Sequence, residues 1–179
     1  NNYRYIMLAY EEWRSLFELG KLSEPQSAFF KTKPVEQLFD LSSDPHETVN
    51  LAGNQEYRAV LLSLRNRLNQ KMNAIHDLSF SPENHMVKHA LDDGIKFGQT
   101  HAEEIRLLQQ TANLALLPFE QAEENIRRAL NHVSPLVRYW AFTVCSSFGV
   151  KAKPLLKNAE SRLNDPDPLV RVRAAEFLA

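Results

Sequence analysis

Apolar positions along the chain follow different rhythms in its two halves. From Asn54 onward Tyr57, Val60, Leu61, Leu64, Leu68, Met72 and Ile75 recur every three or four residues. That spacing predicts one long amphipathic helix, with Arg58, Arg65 and Arg67 off its stripe. Before it, "YRYIMLAY" has the aromatic and aliphatic content of a strand, and "VEQLFDL" reads as a second one. Between the two, "EEWRSLFELG" sets Trp13, Leu16 and Phe17 on one helical face, with Gly20 as the stop. Ser23 and Gln26 then have capping-box spacing for a short helix that Pro34 ends. Strands near Tyr5–Leu8 and Gln37–Asp40 are expected to pair. Two strands alone leave open edges, so a helix or a second copy of the chain is expected to cover them. From His76 to Gly98 the periodicity fails and Pro, Asp, Asn and Gly gather, as in a linker or irregular lid. Helical pattern resumes in "AEEIRLLQQTANLALL" and ends at Pro118.

The remainder repeats itself. "ALNHVSPLVRYWA" from Ala129 and "RLNDPDPLVRVRA" from Arg162 align at a constant offset of 33 residues, Leu130 on Leu163 and Pro135 on Pro168. Each copy reads as helix, tight turn, helix, with Ser134 or Asp167 at the N-cap and Pro at the first helical position. Such a period predicts a stacked helical array. These residues resemble HEAT repeats, in the short form with "D-x-D-x-x-V-R-x-x-A" at the turn. Asp165, Asp167, Val170, Arg171 and Ala174 match that form, whereas the first copy has His132 and Ser134 where the acids belong. In that family the acids often hydrogen-bond across repeats, an expectation that carries over only to Asp165 and Asp167. Two such copies are too few to stand alone and are expected to pack on the preceding helices or on further ones.

Composition narrows the classes of function. At 179 residues there is room for one ordinary domain or two small ones. A net charge of −1 favours neither nucleic acid nor an anionic membrane surface. No apolar run approaches the roughly eighteen residues a membrane-spanning helix needs. The single cysteine excludes an internal disulfide framework. The chain starts at Asn1 without Met or a targeting segment and stops at Ala179 inside an apolar helical pattern, which reads as a fragment of a longer protein.

Chemistry-bearing residues crowd "EQLFDLSSDPHETVNLAG", which sets Asp40, Asp44, His46 and Glu47 close together. His46-Glu47 begins like a zinc-protease helix, but the fourth residue after His46 is Asn50, so the second imidazole is missing. A structural assignment accounts for more residues. Asp44 is the expected N-cap, Pro45 the first helical position and Glu47 the capping-box partner of a single turn, "HETVN".

The same stretch resembles the hallmark near the carboxyl end of sulfatases, written loosely E-L-Y-D-L-x-x-D-P-x-E-x-x-N-L-A. Glu36, Leu38, Phe39, Asp40, Leu41, Asp44, Pro45, Glu47, Asn50, Leu51 and Ala52 fall on it, with Phe39 for Tyr and Gln37 inserted. "YRYIM" resembles the strand preceding that hallmark, and "WRSLFELGKLSEPQSAFF" the helices of a sulfamidase-like subgroup, so the resemblance covers about Tyr3 to Pro82. It implies a parent enzyme with a large α/β domain of the alkaline-phosphatase type. Such enzymes carry a Cys or Ser converted to formylglycine within C/S-x-P/A-x-R, and a calcium ion held by Asp and Asn. The hallmark itself belongs to a small C-terminal subdomain, a short antiparallel sheet packed by a helix, outside the active site. Cys145 is followed by Ser146, Ser147, Phe148 and Gly149, which lacks the Pro/Ala and the Arg. It lies on the stripe Leu136, Val137, Trp140, Ala141, Val144, Phe148 and is expected to be a packing residue. No catalytic, cofactor-binding or metal-ligating residue is therefore assigned to this chain.

Other candidates are weaker. His85, His89 and Asp92 have i, i+4, i+7 spacing but sit between Pro82 and Gly94, and are read as solvated polar residues. Arg127, Arg128, Arg138, Arg171 and Arg173 are nearly cancelled by Glu120, Glu123, Glu124, Asp165, Asp167 and Glu176, as on an ion-paired surface.

The expected fold is mainly α: a small antiparallel β/α sulfatase C-terminal subdomain over 1–80, an irregular linker over 81–100, and an α-solenoid of HEAT-like helix pairs over 101–179. The expected function is that of a non-catalytic C-terminal fragment of a hydrolase of sulfate esters or sulfamates, inactive alone, with calcium and formylglycine in the parent. The alternative is a HEAT-repeat protein-interaction module without enzymatic function. Expected partners are the missing N-terminal catalytic domain, a protein or sulfated glycan, and a second copy through an exposed strand edge. Nucleic acid and membrane are not expected. The resemblance implies a periplasmic or secreted location.

Overall fold

A computed structural model describes residues 2–179, and its elements are helical throughout. No β-strand occurs among the described residues, which overturns the antiparallel β/α subdomain and the paired-strand edge expected from sequence. The chain divides between Arg58 and Ala59 into two compact units.

In the first unit, helix α1 spans Asn2–Glu18 and absorbs the whole of the first expected strand. The residues after "YRYIML" explain this: no Gly or Pro interrupts the chain until Gly20, and Leu, Ala, Glu and Arg are strong helix formers. Tyr10, Trp13 and Phe17, at helical spacing, pack against Phe29 and Phe30. The Phe30 ring lies 4.8 Å from Trp13 and 4.9 Å from Phe17, and Phe29 lies 4.9 Å from Trp13. Gly20 ends α1 at φ 64°, a left-handed conformation. There its N–H donates to the Phe17 carbonyl (2.9 Å) and that of Lys21 to Leu16 (3.0 Å). A four-residue helix, α2 (Glu24–Ser27), begins where Gln26 Oε1 accepts from both the Ser23 N–H (2.9 Å) and the Ser23 hydroxyl (2.8 Å).

The second expected strand is an extended loop without a ladder. Leu38 satisfies its backbone elsewhere: its N–H donates to Asn50 Oδ1 (3.0 Å) and its carbonyl accepts from the Leu51 N–H (2.7 Å). A backbone group can be satisfied by a side chain as well as by a strand neighbour.

The second unit carries, from Ala59 on, the long helix α3 (Arg58–Ile75). Leu61 on its stripe is buried, while Val60, Leu64, Leu68 and Ile75 are exposed. Residues 81–100 form helices rather than irregular chain: α4 (Glu83–His89) and α5 (Gly94–Thr100). Gly98 sits at a close approach, where a Cβ would lie 3.0 Å from the His76 carbonyl oxygen and would need that neighbour to shift by a few tenths of an ångström. Then come α6 (Ala102–Ala112), α7 (Phe119–Leu130), α8 (Pro135–Phe148), α9 (Leu156–Arg162) and α10 (Pro168–Leu178).

Their shared core includes Leu108, Ile126, Leu130, Phe142, Leu155 and Val170, all essentially inaccessible. Burying each stabilises the unit by about 1.5–3 kcal/mol relative to exposure. Pro135 and Pro168 are the first residues of α8 and α10, so the 33-residue offset is a real structural register. The pairs differ in their first helices. α7 has 12 residues, whereas α9 has 7 and follows a 3-10 stretch, Gly149–Leu155, that contains Pro154.

Candidate functional site

The acidic loop after Glu36 is built from the turn chemistry of its own side chains. Asp40 Oδ1 accepts from the Ser42 N–H (3.1 Å) and hydroxyl (2.6 Å), and Oδ2 from the Ser43 hydroxyl (3.0 Å). Asp44 Oδ2 accepts from the Val49 N–H (2.8 Å) and Oδ1 from the Thr48 hydroxyl (3.0 Å). These bonds favour the charged forms. The Ser42 hydroxyl and N–H hold the Asp40 carboxyl below the usual range, and the Val49 N–H does so for Asp44.

Asp44 is thus a cap, but not of a helix. The expected helical turn "HETVN" does not form, and Glu47 sits at φ 54°, which carries the chain out of the α region. The same oxygen that can cap a first helical turn here closes a wider non-helical turn, a competition open to any Asp.

Asn50, a residue to which the sequence pattern assigned no role of its own, clamps the loop. Its Oδ1 accepts from the N–H groups of Leu38 (3.0 Å) and Ala52 (3.0 Å), and its Nδ2 donates to the Glu36 carbonyl (3.4 Å). The available signal was its fixed place in the hallmark rather than its chemistry. Among the described residues no three or more His, Cys, Asp or Glu side chains lie close enough together to hold a metal ion.

The histidine candidate is only partly assembled. His85 and His89 face one another on α4 with ring centroids 4.6 Å apart, but the helix stops at His89 and leaves Asp92 in an exposed bend. Burial, with the positive charge available to His89, lowers the His85 pKa against the opposing pull of Glu104. Cys145 is fully buried on α8, and desolvation pushes its thiol up to about 12. A thiol so buried is not a nucleophile at neutral pH.

The joint between the two helix pairs holds a buried ion pair. Arg138 is buried on α8, and its Nε and Nη2 donate to the two oxygens of the inaccessible Asp165 carboxylate at 2.9 and 2.8 Å. Its Nη1 donates to the carbonyls of His132 (2.7 Å) and Val133 (2.9 Å). Burial raises the Asp165 pKa, but the hydrogen bonds from Arg138 and the Asp167 N–H, with the charges of Arg138 and Arg162, outweigh it. The carboxyl stays below its ordinary value.

Asp167 caps α10 through the N–H groups of Leu169 (2.9 Å) and Val170 (3.2 Å). Ser134 occupies the equivalent position but does not cap α8 with its side chain, since its hydroxyl donates to Glu104 Oε1 (3.0 Å). His132 does locally what Asp165 does. Its Nδ1 accepts from the Ser134 N–H (3.1 Å), as Asp165 Oδ1 accepts from the Asp167 N–H (3.0 Å). Elsewhere Arg127 pairs with Glu123, Arg128 with Glu124 and Arg173 with Glu176.

No family model matches the chain, and no solved structure matches it. It is similar to an ulvan-active sulfatase of Formosa agariphila, 40% identical over 87 residues. The aligned part is 48% of this chain and 15% of that protein, so the chain spans a small share of its relative. No helix of the described residues is long and apolar enough to cross a membrane. What the comparisons show is that about half of the chain is similar in sequence to part of a sulfatase.

Proposed function

We propose that this chain is a non-catalytic C-terminal portion of a sulfatase, one that supports an active site built elsewhere in the parent. The observation that carries the reading is the 40% identity to a sulfatase over 87 residues. The acidic hallmark loop, folded on its own Asp and Asn side chains, supports a structural role for that stretch. The parent hydrolyses sulfate esters or sulfamates, on a sulfated glycan in our reading, and works in the periplasm or outside the cell.

Formylglycine and calcium belong to the absent domain. The residues here do not fit either group: Cys145 is buried and lacks the motif, and the Asp40 and Asp44 oxygens are engaged by their own loop. The test is hydrolysis of an aryl sulfate by the isolated chain with and without calcium. The expected result is no turnover above the uncatalysed rate; calcium-dependent turnover would refute the reading.

A second reading is favoured by the joint at Arg138 and Asp165. In this reading residues 101–179 are the HEAT-like region and bind a protein or polymeric substrate. The two readings are compatible where the helix pairs position substrate for the catalytic domain. Recovery of neither a sulfated glycan nor a protein on the immobilised chain would remove this one.

A further inference from the structure

His85 and His89 lie one helical turn apart on α4, and that turn sets their rings side by side. The ring centroids are 4.6 Å apart and the planes are inclined at 44°. Side chains four residues apart share a helix face, which lets two imidazoles reach one ion. Imidazole nitrogens bind a zinc-sized ion at about 2.0–2.1 Å, so two rings on one ion have centroids roughly 4.5–5 Å apart. The separation on α4 falls in that range with the helix as it stands.

The nitrogens are also unspent. Among the described residues no ring nitrogen of His85 or His89 makes a hydrogen bond. Two other imidazoles are engaged: His101 Nδ1 lies 2.9 Å from the Phe97 carbonyl oxygen, and His132 Nδ1 accepts from the Ser134 N–H. His85 is half-buried beside the Phe97 ring, 6.1 Å between centroids. Burial there disfavours its charged form, so its lone pair is available at neutral pH. His89 is exposed and leaves the pair open to an ion from solvent.

The ligand set is small. Asp92 lies beyond the end of α4 in an exposed bend, and among the described residues no third His, Cys, Asp or Glu joins the pair. An ion held by both rings therefore keeps its remaining positions for water or an outside ligand. Two neutral nitrogens without further constraint follow the ordinary order of affinity, copper above zinc, and do not hold magnesium, which takes oxygen ligands. α4 has seven residues, and a helix that short is marginal by itself. An ion bridging His85 and His89 ties one turn of it together.

We propose that His85 and His89 chelate a divalent transition-metal ion in an open two-histidine site on α4. The proposal rests on this geometry and is independent of the sulfatase reading and of the calcium assigned to the parent.

The test titrates the isotopically labelled 179-residue chain with zinc chloride and follows the ring resonances of its six histidines. The His85 and His89 rings are expected to shift together and saturate at one ion per chain, with slower amide exchange through α4. Calorimetry is expected to show copper binding more tightly than zinc, and no binding of magnesium. His85→Gln and His89→Gln should each weaken zinc binding by at least about tenfold, a loss that removal of even a ligand's supporting partner brings. His46→Gln should leave it unchanged. Metal-free spectra of His89→Gln that match the unaltered chain outside α4 separate loss of a ligand from loss of fold. Shifts spread evenly over the histidines, movement of one ring without the other, or unaltered affinity in either variant would overturn the proposal.

Discussion

The Arg138 guanidinium and the Asp165 carboxylate meet edge to edge, both out of solvent, and join the turn before α8 to the turn before α10. A buried pair of this kind is not a large net source of stability relative to apolar side chains of the same shape. Removing one member, however, strands the charge of the other. Arg138→Leu should therefore lower the stability of residues 59–179 by about 3–5 kcal/mol, and Arg138→Leu combined with Asp165→Leu should recover part of the loss. Urea denaturation followed by far-ultraviolet circular dichroism measures both. Equal stability of Arg138→Leu and the unaltered chain would mean that the pair does not hold the joint.

Asp165 also gives the unit an acid limit. Its folded pKa lies below the unfolded value of about 3.9, so the unfolded state binds its proton more readily. The contribution is complete above that unfolded value and is lost as pH falls through the folded one. Thermal unfolding from pH 6 down to pH 2 should show a steeper loss for the unaltered chain than for Asp165→Asn, whose residual stability is lower but flatter with pH.

Cys145 should be silent in the native protein. With the thiol buried and its pKa pushed up to about 12, a thiol reagent at pH 8 is expected to label it only after unfolding. Labelling at the rate of a free thiol without denaturant would mean that α8 opens, contradicting the packing around Phe142.

In the first unit the informative substitution is Asn50→Ala. Two N–H donors, on Leu38 and Ala52, lose their acceptor. At about 0.5–1.5 kcal/mol per bond, the exchange of those two amides should accelerate by roughly tenfold while the amides of α1 stay unchanged. Unchanged protection at Leu38 would show that the loop is held by something other than Asn50.

What could be read in the sequence divides along physical lines. The offset of Pro135 from Pro168 was legible because proline at a helix start carries its constraint locally. Cys145 as a packing residue was legible from its stripe. The strand reading of Tyr5–Leu8 was not sound: a short apolar run carries no period of its own, and the helix-forming residues after it decided its conformation. Asp44 was read as the N-cap of a helical turn, and that turn does not form: its carboxylate accepts the Val49 N–H instead, and Glu47 enters a left-handed conformation, which no spacing announces. Asp165 and Asp167 were both expected to bond across repeats; Asp165 does so, whereas the bonds of Asp167 go to the first turn of its own helix. The partner of Asp165, 27 residues away, is set by how the helices stack and lies beyond any local pattern.

Whether this chain belongs to a sulfatase whose chemistry lies elsewhere is decided by the coding sequence upstream of Asn1. A C/S-x-P/A-x-R motif is expected a few hundred residues earlier in the same reading frame. An upstream frame without that motif would contradict the sulfatase assignment and leave the helix-pair interaction module as the reading of the chain.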